Sequence, residues 1–230
     1  MAQASLDCYE MGCCTVDVDG KICSFGSLIL ALNAEYAAEN KSTDWVERKG
    51  RIEEILFRTE LELTEINKYS MFSSQSDLPY TRNLVHQHSA DSYTLLVLCW
   101  KPGFESKIHS HPVDGCFVMP LRGAICETLY SIDDGGYLCQ TETKTLDANS
   151  QSGRGISFMS DTMGRLHKIS NPSDNVGAVT LHLYTPSFSS CRVWVAENSN
   201  KTEERNMSLF SSNGIRTHSE EVVFDLASFI

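Results

Sequence analysis

The stretch GFESKIHSHPVDGCFVMPLRG, residues 103–123, places two histidines two positions apart between two glycines. Four residues separate His111 from Cys116, and six more separate Cys116 from the closing glycine. In an extended strand alternate side chains point to the same face, so His109 and His111 share one face. Two imidazoles on one face are a natural pair of neighbouring metal ligands. The stretch therefore predicts part of a metal site.

A second stretch, residues 164–171, supplies a third histidine, His167, after Gly-Arg-Leu and before an asparagine. Together the two stretches resemble the two-part signature of the cupin superfamily, a small β-barrel with a metal ion inside. Most cupins carry a carboxylate ligand where this chain has Cys116. Three neutral imidazoles would leave a divalent ion its full charge, which favours an anionic ligand such as a thiolate. By ligand type alone, iron, zinc, copper and nickel all fit.

The composition is that of an ordinary globular chain of 230 residues, with 41% hydrophobic and 21% charged residues. Nineteen basic and 30 acidic residues give a net charge of −11 with histidine neutral. This excess of acidic residues weighs against nucleic acid or an anionic membrane surface as a partner. No apolar run approaches membrane-spanning length, and the N-terminal residues show no secretory signal. We therefore expect a cytoplasmic protein and, by default, a monomer.

The first third of the chain is predicted to be helical. Residues 1–24 show no periodicity and are expected to form a loose N-terminal extension. Apolar spacing predicts a helix from near Ser24, a second after the polar residues 42–44, and a shorter one within 61–69. Gly50 is predicted as a helix break.

Beyond the helices, short apolar segments separated by Gly, Pro, Asn and Asp predict β-strands. They lie near 85 and at 95–100, 117–121, 125–130, 137–145, 156–159, 166–170, 179–184 and 191–195. We expect a mainly β fold, a cupin-type small β-barrel (jelly roll) with N-terminal α-helices packed at one end. Residues 25–230 would form one domain, with helices over 25–70 and the barrel over about 78–218.

Over residues 78–218 the chain also resembles the cysteine dioxygenase family. The matching segments are 80–85, 98–100, 108–111, 116–117, 127–129, 181–184 and 214–217. The resemblance implies an iron(II) site that adds both atoms of dioxygen to the sulfur of free L-cysteine. The product is cysteine sulfinate, on the route of cysteine catabolism to taurine and sulfate. It further implies that His109, His111 and His167 are the iron ligands.

The resemblance assigns substrate-binding residues as well. Arg82 corresponds to the arginine that binds the substrate carboxylate, and a planar guanidinium suits that role better than a lysine. Tyr80, two residues earlier on the same strand face, resembles a family residue near that carboxylate. Cys191 matches a cysteine near the pocket entrance and is either reactive or merely buried. His86, His88 and His218 receive no role and are expected to be surface histidines.

Thr180, His182 and Tyr184 alternate with leucines, so their polar groups share one face. The resemblance implies that Tyr184 is the phenol of the active site, oriented by a hydrogen-bond chain from Thr180, a serine in the family, and His182. Cys116 and Tyr184 match the pair that becomes a protein-derived thioether in this family. Gly115 stands where animal members carry histidine.

Two other functions remain open at this point. The first is a dioxygenase for another small thiol acid, such as 3-mercaptopropionate. Relatives of that kind tend to carry glutamine at the position of Arg82 and to lack a crosslinking cysteine at the position of Cys116, so cysteine is favoured. A non-catalytic metal-binding cupin is the other, and the intact histidines and polar strand argue against it. A zinc hydrolase is a more distant possibility, since no carboxylate base accompanies the histidines.

Overall fold

The structure is a computed structural model that describes residues 20–37, 44–75, 78–150, 155–197 and 199–217. Most of the predicted N-terminal extension lies outside these residues, as does His218. None of the helices in the described ranges combines the length and apolar character that crossing a membrane requires. Strands predominate, which confirms the mainly β prediction.

The three predicted helices are present. They are α1 (Phe25–Tyr36), α2 (Trp45–Phe57) and α3 (Leu63–Tyr69). The Ser24 side chain accepts an amide of the first turn of α1 at 3.1 Å, and Asp44 does the same for α2 at 2.8 Å. Such caps satisfy amides at the helix start that have no partner within the helix, which explains why both helices begin where they do.

The break predicted at Gly50 is wrong, because Gly50 lies inside α2. Its backbone is exposed, and an added Cβ would meet no atom within 4 Å. Beyond it, Ile52 and Leu56 are buried, so apolar packing continues the helix through a residue of low helix propensity.

The strands of the barrel follow. They are β1 (Tyr80–Gln87), β2 (Thr94–Trp100), β3 (Gly115–Arg122), β4 (Ala124–Ile132), β5 (Leu138–Asp147), β6 (Ser157–Met159), β7 (Leu166–Ser170), β8 (Ala178–Thr185), β9 (Ser190–Trp194), β10 (Thr202–Asn206), β11 (Ser211–Ser212) and β12 (Ile215–Arg216). The predicted strands are thereby confirmed, while β10, β11 and β12 are additional.

The strands form a seven-stranded sheet in the order β12-β11-β1-β2-β8-β3-β6, a three-stranded sheet β5-β4-β7 and a two-stranded sheet β10-β9. In the large sheet β8 lies antiparallel between β2 and β3. The hydrophobic residues divide into a larger cluster that includes the helices and a second cluster in the barrel interior. The large sheet therefore separates the helices from the interior.

The sequence predicts that the helices pack at one end of the barrel. In the structure they pack on the outer face of the large sheet. Leu28 of α1 and Ile52 of α2 cluster with Val97, Leu181 and Leu183 on the outer face of the large sheet. Central strands buried on both faces need such a cover, which explains why β2 is apolar at nearly every position.

The alternation predicted for β8 is confirmed. Leu181 and Leu183 pack in the cluster that contains the helices, whereas Tyr184 belongs to the interior cluster. Thr180 and His182 are also buried, with side chains hydrogen-bonded to each other on the Tyr184 side of the strand. The polar face of β8 thus points into the barrel.

Candidate active site

Three histidines meet inside the barrel. His109 and His111 lie on an extended segment before β3, outside the named strands, and His167 lies on β7. The His109 amide donates to the His167 carbonyl at 3.1 Å, which aligns the segment with β7. One ring nitrogen of each histidine lies within 4.8 Å of the others, and the Nε2 atoms of His111 and His167 are 3.0 Å apart. Two adjacent ligands of one ion at about 2.1 Å each would have this separation, so the residues fit a metal ion.

Burial favours the neutral imidazole at His109 and His111, which is the form that binds a metal. Burial, with the neighbouring His167, lowers the pKa of His109 to about 3, and burial holds the pKa of His111 well below its ordinary value. Nδ1 of His109 lies 2.8 Å from the Lys107 carbonyl, and Nδ1 of His167 lies 2.5 Å from Glu127. A carbonyl and a carboxylate accept hydrogen bonds, so each Nδ1 donates and each Nε2 is left free for a metal.

Glu127 is one of two residues near the site that were not predicted from the sequence. It lies on β4, its side chain is 0% exposed, and its carboxylate contacts His167, Ser157 and Lys144. Burial alone would raise the pKa of Glu127, but these three partners together lower it to about 2. A signal exists in the sequence, because Glu127 takes an inward position between the buried residues Ile125 and Leu129.

Arg82 on β1 presents a positive charge to the same interior. Its Nη2 donates to the Tyr80 hydroxyl at 2.8 Å, and its Cζ lies 4.8 Å from the Tyr80 ring centroid. The Tyr80 ring in turn stacks on Trp100 with centroids 4.4 Å apart. Across the described ranges no carboxylate pairs with Arg82, so its guanidinium is available to an anionic ligand.

A cavity of about 500 Å³ joins these groups, since both Arg82 and His109 line it. Cys191 also lines it, as expected of a residue near a pocket entrance. A narrower inner cavity shares these three residues and is further lined by His182 and Tyr184. A small molecule in the larger cavity can therefore contact His109 and Arg82 together, and the inner cavity, of about 10 Å³, leads from there to His182 and Tyr184.

The polar residues of β8 form a hydrogen-bond chain that begins at Trp100. The Trp100 indole donates to Thr180 Oγ1 at 2.8 Å, and Thr180 Oγ1 lies 2.8 Å from His182 Nε2. His182 Nδ1 lies 3.3 Å from the Tyr184 hydroxyl. In the tautomer of His182 that carries its hydrogen on Nδ1, Thr180 donates to Nε2 and Nδ1 donates to Tyr184, which continues the direction set by the Trp100 indole. The other residue that was not predicted from the sequence is Trp100, the first member of this series of hydrogen bonds.

The comparison with known proteins decides the family. A family model described as cysteine dioxygenase type I matches residues 48–197. The chain belongs to the cysteine dioxygenase family. Cysteine dioxygenase type 1 of Homo sapiens is 31% identical over 168 residues, which cover 72% of this chain and 80% of that protein. The Rattus norvegicus protein of the same description is 33% identical over 161 residues, 68% of this chain and 76% of that protein.

Among solved structures, the chain is similar to a Klebsiella pneumoniae protein with a double-stranded β-helix domain. The sequence identity is 15%, the TM-score is 0.39, and the match covers 56% of this chain and 87% of that chain. Membership of the cysteine dioxygenase family confirms the family resemblance and makes the protein an enzyme of that type.

In this cysteine dioxygenase, Cys116 and Tyr184 are directly opposite each other on the neighbouring strands β3 and β8. Both are buried, and Cys116 Sγ lies 3.8 Å from His182 Nδ1, the atom that also contacts Tyr184. Burial raises the pKa of the Cys116 thiol and of the Tyr184 phenol well above their ordinary values. The arrangement brings the two side chains of the predicted thioether together, while the bond itself stays a prediction.

Gly115, where animal cysteine dioxygenases carry histidine, has a structural explanation here. Its φ of +108° is one that side-chain-bearing residues rarely adopt. A Cβ at this position would lie 2.3 Å from the Met159 carbonyl oxygen and 2.7 Å from the Phe158 ring. Glycine therefore allows β6 to pack closely against the start of β3, next to Cys116.

The remaining histidines lie away from the site. His86 and His88 are close to Tyr93, with ring centroids 5.8 and 5.6 Å from its ring, and Tyr93 packs in the cluster that contains the helices. His86 is half-buried and His88 is exposed, and neither lines the cavity. The structure does not bring them to the three-histidine site.

Proposed function

We propose that the protein is an iron(II)-dependent dioxygenase that converts free L-cysteine and dioxygen to L-cysteine sulfinate. The observation that carries the proposal is that His109, one of the three clustered histidines, and the guanidinium of Arg82 line one cavity. Cysteine has a thiolate and a carboxylate a few bonds apart, which would match a metal ion held by the histidines and the guanidinium of Arg82. The sulfur is oxidised from thiolate to sulfinate, and its electrons reduce both atoms of dioxygen, so the reaction needs no further reductant.

His109, His111 and His167 would hold the iron. When bound, iron supplies the redox chemistry and brings the sulfur and dioxygen close together. The protein contributes orientation, charge neutralisation and shielding from water, and these roles belong to the residues around the cavity.

Arg82 binds the substrate carboxylate in this proposal. Its hydrogen bond to Tyr80 and the stacking of Tyr80 on Trp100 hold the guanidinium in place before substrate arrives. A preorganised fork of donors loses little side-chain entropy when a carboxylate binds it. Arg82 thereby orients the thiol end of the substrate towards His109, which lines the same cavity.

Tyr184 donates a hydrogen bond to the reacting groups. With His182 in the Nδ1–H form, Nδ1 donates to the Tyr184 oxygen and the phenol hydrogen remains available to the cavity. Burial raises the pKa of Tyr184, so the phenol keeps its proton at neutral pH. Thr180 and His182 act by orienting this phenol.

Cys116 and Tyr184 form a thioether in the mature enzyme under this proposal. Forming the bond removes one hydrogen from the thiol and one from the phenol ring, and one molecule of dioxygen, a substrate, accepts these two electrons and two protons to give hydrogen peroxide. The bond would fix the phenol beside the metal site and remove a thiol that competes with substrate cysteine. We further predict a cytoplasmic, monomeric enzyme in cysteine catabolism towards taurine and sulfate.

The test is oxygen consumption by anaerobically iron(II)-loaded protein with L-cysteine and with 3-mercaptopropionate. We expect uptake matched by cysteine sulfinate, with the other thiol a poor substrate. The Arg82→Gln variant should lose most of its activity with cysteine, because an amide cannot neutralise the substrate carboxylate. If the unmodified protein prefers 3-mercaptopropionate, the assignment of cysteine as the substrate is wrong. If the iron-loaded protein consumes no oxygen with either thiol, the alternative of a non-catalytic metal-binding cupin is supported instead.

A further inference from the structure

A buried ionic chain connects one of the three histidines to the protein surface. Glu127 accepts hydrogen bonds from His167 Nδ1 and Ser157 Oγ, both at 2.5 Å, and pairs with Lys144 Nζ at 3.0 Å. Glu127 is 0% exposed and the His167 side chain 1%, whereas the Lys144 side chain is 34% exposed. Each carboxylate oxygen has a partner, so the chain is fully satisfied despite its burial.

The strand register places these groups together. Glu127 pairs with Lys144 across β4 and β5, and Leu129 pairs with His167 across β4 and β7. Ser157 belongs to β6 in the large sheet, so its hydrogen bond to Glu127 links the two sheets. The position of the carboxylate is therefore determined from three different strands.

The other two histidines have different outer partners. The Nδ1 of His109 donates to a neutral carbonyl, that of Lys107. The Nδ1 of His111 is buried and has no hydrogen-bond partner among the described residues. An anionic acceptor on the second ring nitrogen makes an imidazole a more basic ligand than a neutral acceptor does. The three ligands therefore differ in donor strength, and His167 is the strongest.

We propose that Glu127 is a positioning residue that holds His167 in the Nδ1–H form and sets its donor strength, with Lys144 moderating the carboxylate. This inference rests on the metal-binding part of the proposed function and deepens it. Lys144 draws charge away from the carboxylate, so the two residues act on His167 in opposite directions. Loss of Glu127 weakens the ligand, and loss of Lys144 strengthens it.

The first test is the affinity of the full chain for cobalt(II), measured without cysteine or dioxygen. In Glu127→Gln the amide oxygen still accepts from His167, but the charge is lost. We expect the affinity to fall about 10- to 100-fold. Glu35→Gln is the matched control, because Glu35 is 2% exposed and pairs with Arg51 at 2.8 Å but belongs to α1. The control should bind cobalt(II) as the unmodified protein does.

The second test is the iron(III)/iron(II) reduction potential of the same variants. Glu127→Gln should raise it, since a weaker donor destabilises iron(III) more, and a tenfold larger loss for iron(III) corresponds to about 59 mV. Lys144→Met should lower it by less, because its partly exposed ammonium is screened by solvent. Opposite shifts support the proposal; shifts in one direction, or cobalt(II) affinity equal to that of the Glu35 control, overturn it. Because neither readout uses turnover, failure of the proposed cysteine reaction would not be mistaken for failure of this inference.

Discussion

The hydroxyl of Thr180 is the most informative single group to remove, because two buried partners depend on it. Trp100, Thr180 and His182 are 1%, 0% and 2% exposed. In Thr180→Val the side chain keeps nearly the same shape, but the Trp100 indole and His182 Nε2 each lose a partner at 2.8 Å. An unsatisfied buried polar group costs about 1–3 kcal/mol, so the two together should cost about 2–6 kcal/mol of the free energy of unfolding.

The matched control is Thr180→Ser, which installs the residue that the family carries and keeps the hydroxyl. It loses only a buried methyl group, at about 1 kcal/mol. Urea unfolding of both variants, with equal m-values as the check on two-state behaviour, gives the difference between them. If the free energies of unfolding of the valine and serine variants differ by less than about 0.5 kcal/mol, the Thr180 hydroxyl does not form both hydrogen bonds, and the proposed series of hydrogen bonds to Tyr184 is wrong.

Other substitutions test the site and the fold. Arg82→Ala should weaken L-cysteine binding about 10- to 100-fold by calorimetry, since a charge-assisted pair is lost, and leave iron(II) affinity unchanged; equal cysteine affinity would contradict the assignment. Gly115→Ala should cost at least about 3 kcal/mol in chemical denaturation, because its Cβ would lie 2.3 Å from the Met159 carbonyl at a positive φ. Gly50→Ala should instead stabilise the fold by about 0.5–1 kcal/mol, since the site is helical and open, and a lowered melting temperature would refute that. Burial alone would raise the pKa of Glu65, but bonds to Lys68 and the first amide of α1 lower it. The ionised Glu65 side chain therefore stabilises the fold above its unfolded-state pKa, and this effect is lost as the pH falls. The melting temperature of the unmodified protein should exceed that of Glu65→Gln at pH 6, and the difference should shrink towards pH 3.

Local spacing was sufficient for much of the fold and for two members of the histidine cluster. His109 and His111 share a face because an extended chain alternates, and the β8 residues follow the same rule. The strands β10, β11 and β12 escaped prediction for physical reasons. β10 is exposed at every residue, so it shows no apolar alternation, and the other two are only two residues long.

The groups that support the site depend on strand register, which spacing does not reveal. Trp100 reaches Thr180 because β2 and β8 are neighbours in the large sheet, and Glu127 reaches His167 because β4 pairs with β7. Each lies far from its partner in the sequence. The inward position of Glu127 was readable from alternation, but its partners were not.

The proposed reaction adds both atoms of one dioxygen molecule to the sulfur of free cysteine. The most direct measurement is turnover of L-cysteine by the iron(II)-loaded protein under ¹⁸O₂, followed by mass spectrometry of the product. We predict cysteine sulfinate in which both added oxygen atoms carry the label. Sulfinate with an oxygen from water, or cystine as the only product, would contradict the claim.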